Sequence, residues 1–333
     1  MNRIEELFNQ FQDAVSCLQE ALNVPESEAL TETFDNLENK KIKVEMGAPD
    51  QETVAKLRNK YDDLRYDQLS KKEKVQIFTL LTLKAINDEG RDANQMPTPP
   101  ILSTVMTLFM SKLLPKKEIT LVDPAVGSGN LLFSAVNQLI SQNHSINRFK
   151  LVGIDNDEGM LNLADVAAHL SGLDVEFYCQ DALTPWLIPN PEAIISDLPI
   201  GYYPVDDNAE NFALKANNGH SYAHMLYIEQ IIKNLAPDGY AFLLVPNSLL
   251  TGKIGADFMP WLANKVYLQA IVELPSRLFK NKVNQKSVLV FQNHGQSKAP
   301  KEVLVTKIED LRDEESLVNL NIKLNEWYTK NDN

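Results

Sequence analysis

Four aspartates, each at or just past the end of a short apolar run, are the residues whose type and spacing suggest chemistry. Asp123 follows ITLV, Asp155 follows KLVGI, Asp181 stands two residues past VEFYC, and Asp197 follows EAIIS. An ionised carboxylate is a pure acceptor with room for several hydrogen bonds. After the first comes Pro124-Ala125-Val126-Gly127-Ser128-Gly129-Asn130, running directly into the helical stretch LLFSAVNQLI. Two glycines in three residues let the backbone turn tightly against a ligand, and a helix starting there offers its free N–H groups. Asp155 lies 32 residues after Asp123, the length of one strand–helix–strand unit. A carboxylate there can accept both hydroxyls of a ribose lying over the glycine turn, because two such strands are neighbours. Asp181 is suited to accept from an adenine amino group while the Ala182 N–H donates to the ring. The dinucleotide pattern G-x-G-x-x-G needs a third glycine where Leu132 stands, which argues against a nicotinamide cofactor.

Taken in order, the Asp123 to Gly129 segment, the acids at 155 and 181, and the tetrapeptide Asp197-Leu198-Pro199-Ile200 resemble the motifs of class I S-adenosylmethionine-dependent methyltransferases. More narrowly, the chain is similar to the adenine-N6 DNA methylases, especially the methylation subunits of type I restriction systems and their small stand-alone bacterial relatives. The likeness covers about residues 90 to 295, and LAPDGYAFLLVPNSLL and LQAIVELPSRLF fit the same subgroup. It implies S-adenosylmethionine as cofactor, with Met96, Thr98 and Pro99 closing over its methionine part. Asp123, Pro124, Ala125, Gly127, Gly129 and Asn130 then form the turn against the methionine portion. Asp155 with Asn156 holds the ribose, and Asp181, Ala182 and Leu183 read the adenine.

The same resemblance makes Asp197, Leu198, Pro199 and Ile200 the catalytic segment. An exocyclic ring amine is a weak nucleophile because its lone pair is delocalised, so an acceptor side chain and a backbone carbonyl must bind its N–H groups and free that pair. Asp197 and the Leu198 carbonyl fill those places. The family pattern continues Pro-Pro-aromatic, whereas this chain reads Leu-Pro-Ile; Ile200 offers no π-face to an extruded base, and Tyr202 or Tyr203 are the candidate substitutes.

The elements that must carry these residues are of two textures. Residues 1–92 show helical periodicity, as in Ile4, Leu7, Phe8, Phe11, Val15 and Leu18, and are expected to form a small helical domain. Pro97, Pro99 and Pro100 are expected to disallow helix and fix an extended linker over Arg91 to Pro100. Residues 93–333 are expected to form the methyltransferase domain, an α/β Rossmann-like fold with a predominantly parallel doubly wound sheet. Seven apolar runs, from ITLVD to SVLVFQ, alternate there with helical stretches beginning at Asn130, Gly159, Ser221 and Asp257. Residues 308–333 are expected to be a charged helix with a frayed end.

Charge and composition limit the function. Net charge is −13 with a sequence pI near 4.9, and residues 121–270 hold 16 acids against six basic residues, so any nucleic-acid binding by the isolated chain is expected to be weak. Arg277, Lys280, Lys282 and Lys286 are the one dense basic stretch, read as a solvated loop. Cys17 and Cys179 are too few for a disulfide framework and are expected simply to pack. His220 and His224 lack the inner Glu of a metalloprotease helix, so no metal is expected. Trp186 is expected to pin the loop after the third run. No apolar run is long enough to span a membrane, and the reading is cytoplasmic. The function expected is N-methyl transfer to an amine. The alternative is a cofactor-binding protein with lost or altered catalysis, acting on a protein partner through its N-terminal helices.

Overall fold

The structure is a computed structural model that describes residues 3–114, 118–142, 149–279 and 285–331. Eight strands form one sheet: β1 (Ile119–Asp123), β2 (Phe149–Asp155), β3 (Val175–Cys179), β4 (Ala193–Asp197), β5 (Tyr240–Pro246), β6 (Val266–Glu273), β7 (Lys286–Asn293) and β8 (Leu304–Lys307). Their spatial order is β3-β2-β1-β4-β5-β7-β6-β8. All neighbours are parallel except β7, which runs antiparallel to both β5 and β6.

Twelve helices accompany the sheet among the described residues. Four come first: α1 (Arg3–Leu22), α2 (Glu26–Glu38), α3 (Gln51–Leu64) and α4 (Lys71–Asp88). Then follow α5 (Pro100–Leu113), α6 (Asn130–Ser141), α7 (Glu158–Leu170) and the short α8 (Asp206–Ala209). The last are α9 (Ala223–Asn234), α10 (Asn247–Leu250), α11 (Gly252–Ala263) and α12 (Glu314–Asn331).

Successive strand residues point to opposite faces, and both faces are covered. Leu121, Ile195, Leu244 and Val288 pack under α5, α6 and α12, while Val122, Ile194, Leu243 and Leu289 pack under α9 and α11. The seven expected strands are present. An eighth, β8, was not foreseen, because LVTK is short and its alternate residues are exposed. The C-terminal segment begins later than expected, at Glu314, and is more than a charged surface helix: Leu320, Leu324 and Trp327 are buried in the main core. Its expected frayed end, residues 332–333, lies outside the described residues.

The N-terminal helices bury Phe11, Phe34 and Phe78 against one another, with Phe34 and Phe78 edge to face at 4.9 Å. That core is not closed. Met160, Leu163, Val166 and Leu170 on the outer face of α7 complete it, so α7 is buried on two sides. The segment between α4 and α5 is also less extended than expected. Ala93–Gln95 form a 3-10 turn capped by Asp92, and Pro100 is the first residue of α5, where its missing N–H costs nothing.

Candidate active site

The parallel strands bring Asp123, Asp155 and Asp197 to one edge of the sheet, with the 94–98 segment across from them. The Asp123 carboxylate is wholly buried and accepts from the Ala125 N–H at 3.1 Å and the Ser196 hydroxyl at 2.8 Å. Burial pushes its pKa up to about 7, with the charges of Asp197 and Asp155 adding to the rise. Asp155 accepts from the Gly127 and Asp157 N–H groups at 2.9 and 3.0 Å; burial is also the main reason its pKa is raised.

Gly129 has φ +80°, and a Cβ there would stand 2.0 Å from the Phe133 ring, so the turn needs glycine for both its backbone and its space. Asp157 caps α7 through the Met160 N–H and also receives Arg91 at 2.9 Å and Gln95 at 2.7 Å. Asn156 is exposed beside it.

Asp181 Oδ1 accepts from the Leu183 N–H at 2.9 Å, and Oδ2 accepts from the Tyr203 hydroxyl, whose pKa is pushed up to about 12 by burial and by that carboxylate. Tyr203 is therefore a buried partner of Asp181, which rules it out as the exposed aromatic sought in place of Ile200. Tyr202 is 63% exposed and stacks on Tyr222 with ring centroids 5.0 Å apart. Trp186 donates to the Ala182 carbonyl at 2.7 Å and pins that loop, as expected.

Asp197 accepts from Thr98 Oγ1 at 2.9 Å on one oxygen and is ion-paired with Lys286 on the other. Met96, Thr98, Asp123, Ala125, Gly127, Asn130 and Asp197 border a narrow cleft of about 30 Å³, spanned by the Thr98–Asp197 bond. Leu198 is fully buried and donates its N–H to the Leu244 carbonyl at 3.1 Å. Pro199 and Ile200 are partly buried, and the side-chain amide of Asn94 grips Ile200 at both backbone groups, at 2.8 and 2.9 Å. His224 is buried, hydrogen-bonded to the Pro199 backbone, and its pKa is lowered to about 4 by burial and by Lys286. Among the described residues no three His, Cys, Asp or Glu side chains are placed to hold a metal.

Two corrections concern the basic stretch and the thiols. Lys286 is not in a solvated loop but opens β7 with its side chain only 15% exposed, and Arg277 pairs with Asp310. Lys280 and Lys282 lie outside the described residues. Cys179 is exposed rather than packed, and Cys17 is half-buried. Sequence reasoning did not single out Asn94, Arg91, Gln95 or Ser196. Their partners are far away in sequence, 106 residues in the case of Asn94, and no local pattern marks them.

The N-6 DNA methylase family model matches residues 65–329, and a YtxK N-terminal helical domain model matches residues 5–86. The chain belongs to the N-6 DNA methylase family. It is 34% identical over 255 residues to protein YtxK of Bacillus subtilis, covering 76% of each chain. A solved structure from Listeria monocytogenes, described as a class I S-adenosylmethionine-dependent methyltransferase, superposes with TM-score 0.85 at 30% identity over 98% of both chains. The methylase subunit of the type I restriction enzyme MjaIX of Methanocaldococcus jannaschii is 23% identical over 67% of this chain. This chain spans only 42% of that subunit's length. A modification subunit from Vibrio vulnificus shares the fold, with TM-score 0.64 at 18% identity over 83% of this chain and 61% of its own. Within this family the sheet domain is a methyltransferase fold, and its adenine-methylase-like character agrees with the motif order along β1 to β4.

Proposed function

We propose that the protein uses S-adenosylmethionine to methylate the exocyclic amine of an adenine-type ring, with Asp197 holding that amine. The observation that carries this reading is the convergence of three strand-end carboxylates around a glycine turn, with Asp197 as the outermost. The residues present suit the cofactor. Acidic groups favour a sulfonium cation, Gly127 and Gly129 allow close backbone approach, and the oxygens of Asp155 retain lone pairs for a ribose. In this reading Asn156 borders the ribose, while Ala182 and Leu183 flank Asp181 at the adenine. Met96, Thr98 and Pro99 lie over the methionine end together with Asp123, Pro124, Ala125 and Asn130.

The cofactor supplies an electrophilic methyl group when bound. The chain supplies orientation. Asp197 and the Leu198 carbonyl accept the two N–H groups of the amine, which keeps its lone pair out of the ring and toward the transferred carbon. Thr98 must first leave Asp197, since their hydrogen bond spans the cleft. Tyr202, stacked on Tyr222, is the exposed aromatic face nearest in sequence to the tetrapeptide and takes the stacking role that Ile200 lacks. The division at residue 92 belongs to the same proposal, with the N-terminal helices as the surface for a protein partner.

Incubating the protein with methyl-labelled S-adenosylmethionine and separate DNA, RNA and protein pools tests the reading. Label is expected in N6-methyladenine of a nucleic-acid pool, with its rate of incorporation reduced by about 10² to 10³ in Asp197→Ala. Label only in protein would sink it.

A further inference from the structure

Lys286 reaches Asp197 because of the direction of its strand. β7 is antiparallel, so its first residue, not its last, lies at the edge where the parallel strands end, and Lys286 pairs in register with Pro246 at the end of β5. The backbone is held there: Asn247 donates its N–H to the Gln285 carbonyl at 2.8 Å, and Ser287 donates its hydroxyl to Asn247 Oδ1 at 2.8 Å. The fixed backbone sets the Lys286 side chain, 15% exposed, against Asp197. That side chain occupies one oxygen of the carboxylate that the amine needs, while Thr98 occupies the other.

The two partners differ in what their departure costs. Thr98 is neutral and finds water on leaving. Lys286 is a cation, and the arriving amine is neutral, so the amine cannot replace the charge it displaces from a carboxylate that is itself 21% exposed. Near Lys286 stands His224, buried, with its Nδ1 lacking a hydrogen-bond partner. Its hydrogen bond to the Pro199 backbone leaves that nitrogen as a neutral acceptor, able to share a donor of the ammonium but not to balance its charge. The missing anion must therefore come with the acceptor.

The geometry points to Lys286 as a specificity-determining residue that blocks Asp197 until an acceptor carrying a phosphate close to its amino ring draws the ammonium away. The inference rests on the proposed ring-amine chemistry and narrows it: a nucleotide unit is accepted, whereas an uncharged nucleoside must compete with the ion pair. A nucleic-acid backbone and a free nucleotide share this phosphate chemistry.

Calorimetry on the full chain saturated with S-adenosylhomocysteine tests the inference with adenosine, adenosine 5′-monophosphate and a short single-stranded adenine-containing DNA. The DNA is used with either phosphodiester or uncharged methylphosphonate linkages next to the adenine. Wild type is expected to bind the phosphate-bearing probes at least about 10-fold more tightly than their uncharged counterparts. In Lys286→Met the gap should shrink to about twofold, and adenosine should bind more tightly than it does to wild type, a gain that mere loss of a surface charge does not produce. Lys286→Arg should keep the gap and control for folding. A larger gap with DNA than with the mononucleotide assigns the phosphate to a backbone; equal gaps assign it to a nucleotide.

An unchanged or weaker adenosine affinity in Lys286→Met overturns the inference and leaves the ring-amine reading intact. An S-adenosylhomocysteine affinity reduced about 10-fold in Lys286→Met also overturns it, because Lys286 would then serve the cofactor's own carboxylate. If no adenine probe binds the cofactor-saturated protein, the ring-amine reading fails and takes the inference with it.

Discussion

Asp197 and Asp123 stand at neighbouring strand ends, on β4 and β1, yet their carboxylates should answer differently to mutation. In the proposed reaction, replacing Asp197 with Ala removes the acceptor for the ring amine and should lower turnover by about 10² to 10³, as loss of one oriented polar group at a developing charge does. S-adenosylhomocysteine affinity, measured by calorimetry, should stay within about threefold. Asp123 is a stability group with a defined sign. Its folded pKa of about 7 lies well above the unfolded carboxylate value of about 3.9, so the folded state binds the proton more tightly. The resulting stabilisation is complete below about pH 4 and is lost as pH rises through 7. Asp123→Asn, which can still accept from Ala125 and Ser196, should therefore be the more stable form above pH 7, by on the order of 2 kcal/mol. Denaturation midpoints from pH 5 to 9 check this, with the difference between variant and wild type growing from pH 5 to about 7 and staying level above it. His224 titrates with the opposite sign: its pKa of about 4 makes the fold lose stability as pH falls from about 6.5 toward 4. Taking the difference between the two proteins removes that background.

At the level of elements, the tetrapeptide is held by what surrounds it more than by its own composition. Asn94→Ala leaves the Ile200 N–H and carbonyl without their side-chain partner and should cost about 1 to 2 kcal/mol of stability, with acceptor turnover reduced about 10-fold and cofactor affinity kept. Asn94→Asp should be worse, since an oxygen replaces the donor that faces the Ile200 carbonyl. Restoring proline at position 198 is not a neutral change, because the Leu198 N–H continues the β4–β5 ladder to Leu244. Leu198→Pro should lower the melting temperature, while Ile200→Tyr at a partly exposed site should not. The strands that end in Asp were legible because a buried parallel sheet demands continuous apolar runs, and a chain reversal after each run puts a polar residue at the rim. Lys286 was visible as a basic residue but not as part of the site. Nothing in KSVLVFQ states strand direction, and a parallel β7 would have put Lys286 at the opposite rim. Asn94 left no trace, since its grip on Ile200 is set by packing between segments remote in sequence.

For the whole molecule, the sharing of α7 between two cores has a measurable effect. A fragment of residues 93–333 would expose Met160, Leu163, Val166 and Leu170 together, an apolar face usually covered. It should aggregate or melt well below the full chain, as read by size-exclusion chromatography and thermal unfolding; a soluble monomer of equal melting temperature would show that the helices merely sit on a self-sufficient unit. The overall charge of −13, and the pairing of the described basic residues Arg277 and Lys286 with acids, should leave nucleic-acid binding by the isolated chain weak even at low salt, as a titration at several salt concentrations would read. The segment between α4 and α5 joins these scales. Arg91 and Gln95 end on Asp157 just past β2, and Asn94 ends on Ile200 just past β4, so three side chains within five residues are fixed to two different strand ends. Connecting loops normally tolerate insertions and deletions. Here one added or lost residue would hand each contact to the wrong side chain, so across descendants of this chain the composition of the stretch is free to drift while its length is held as strictly as any catalytic position.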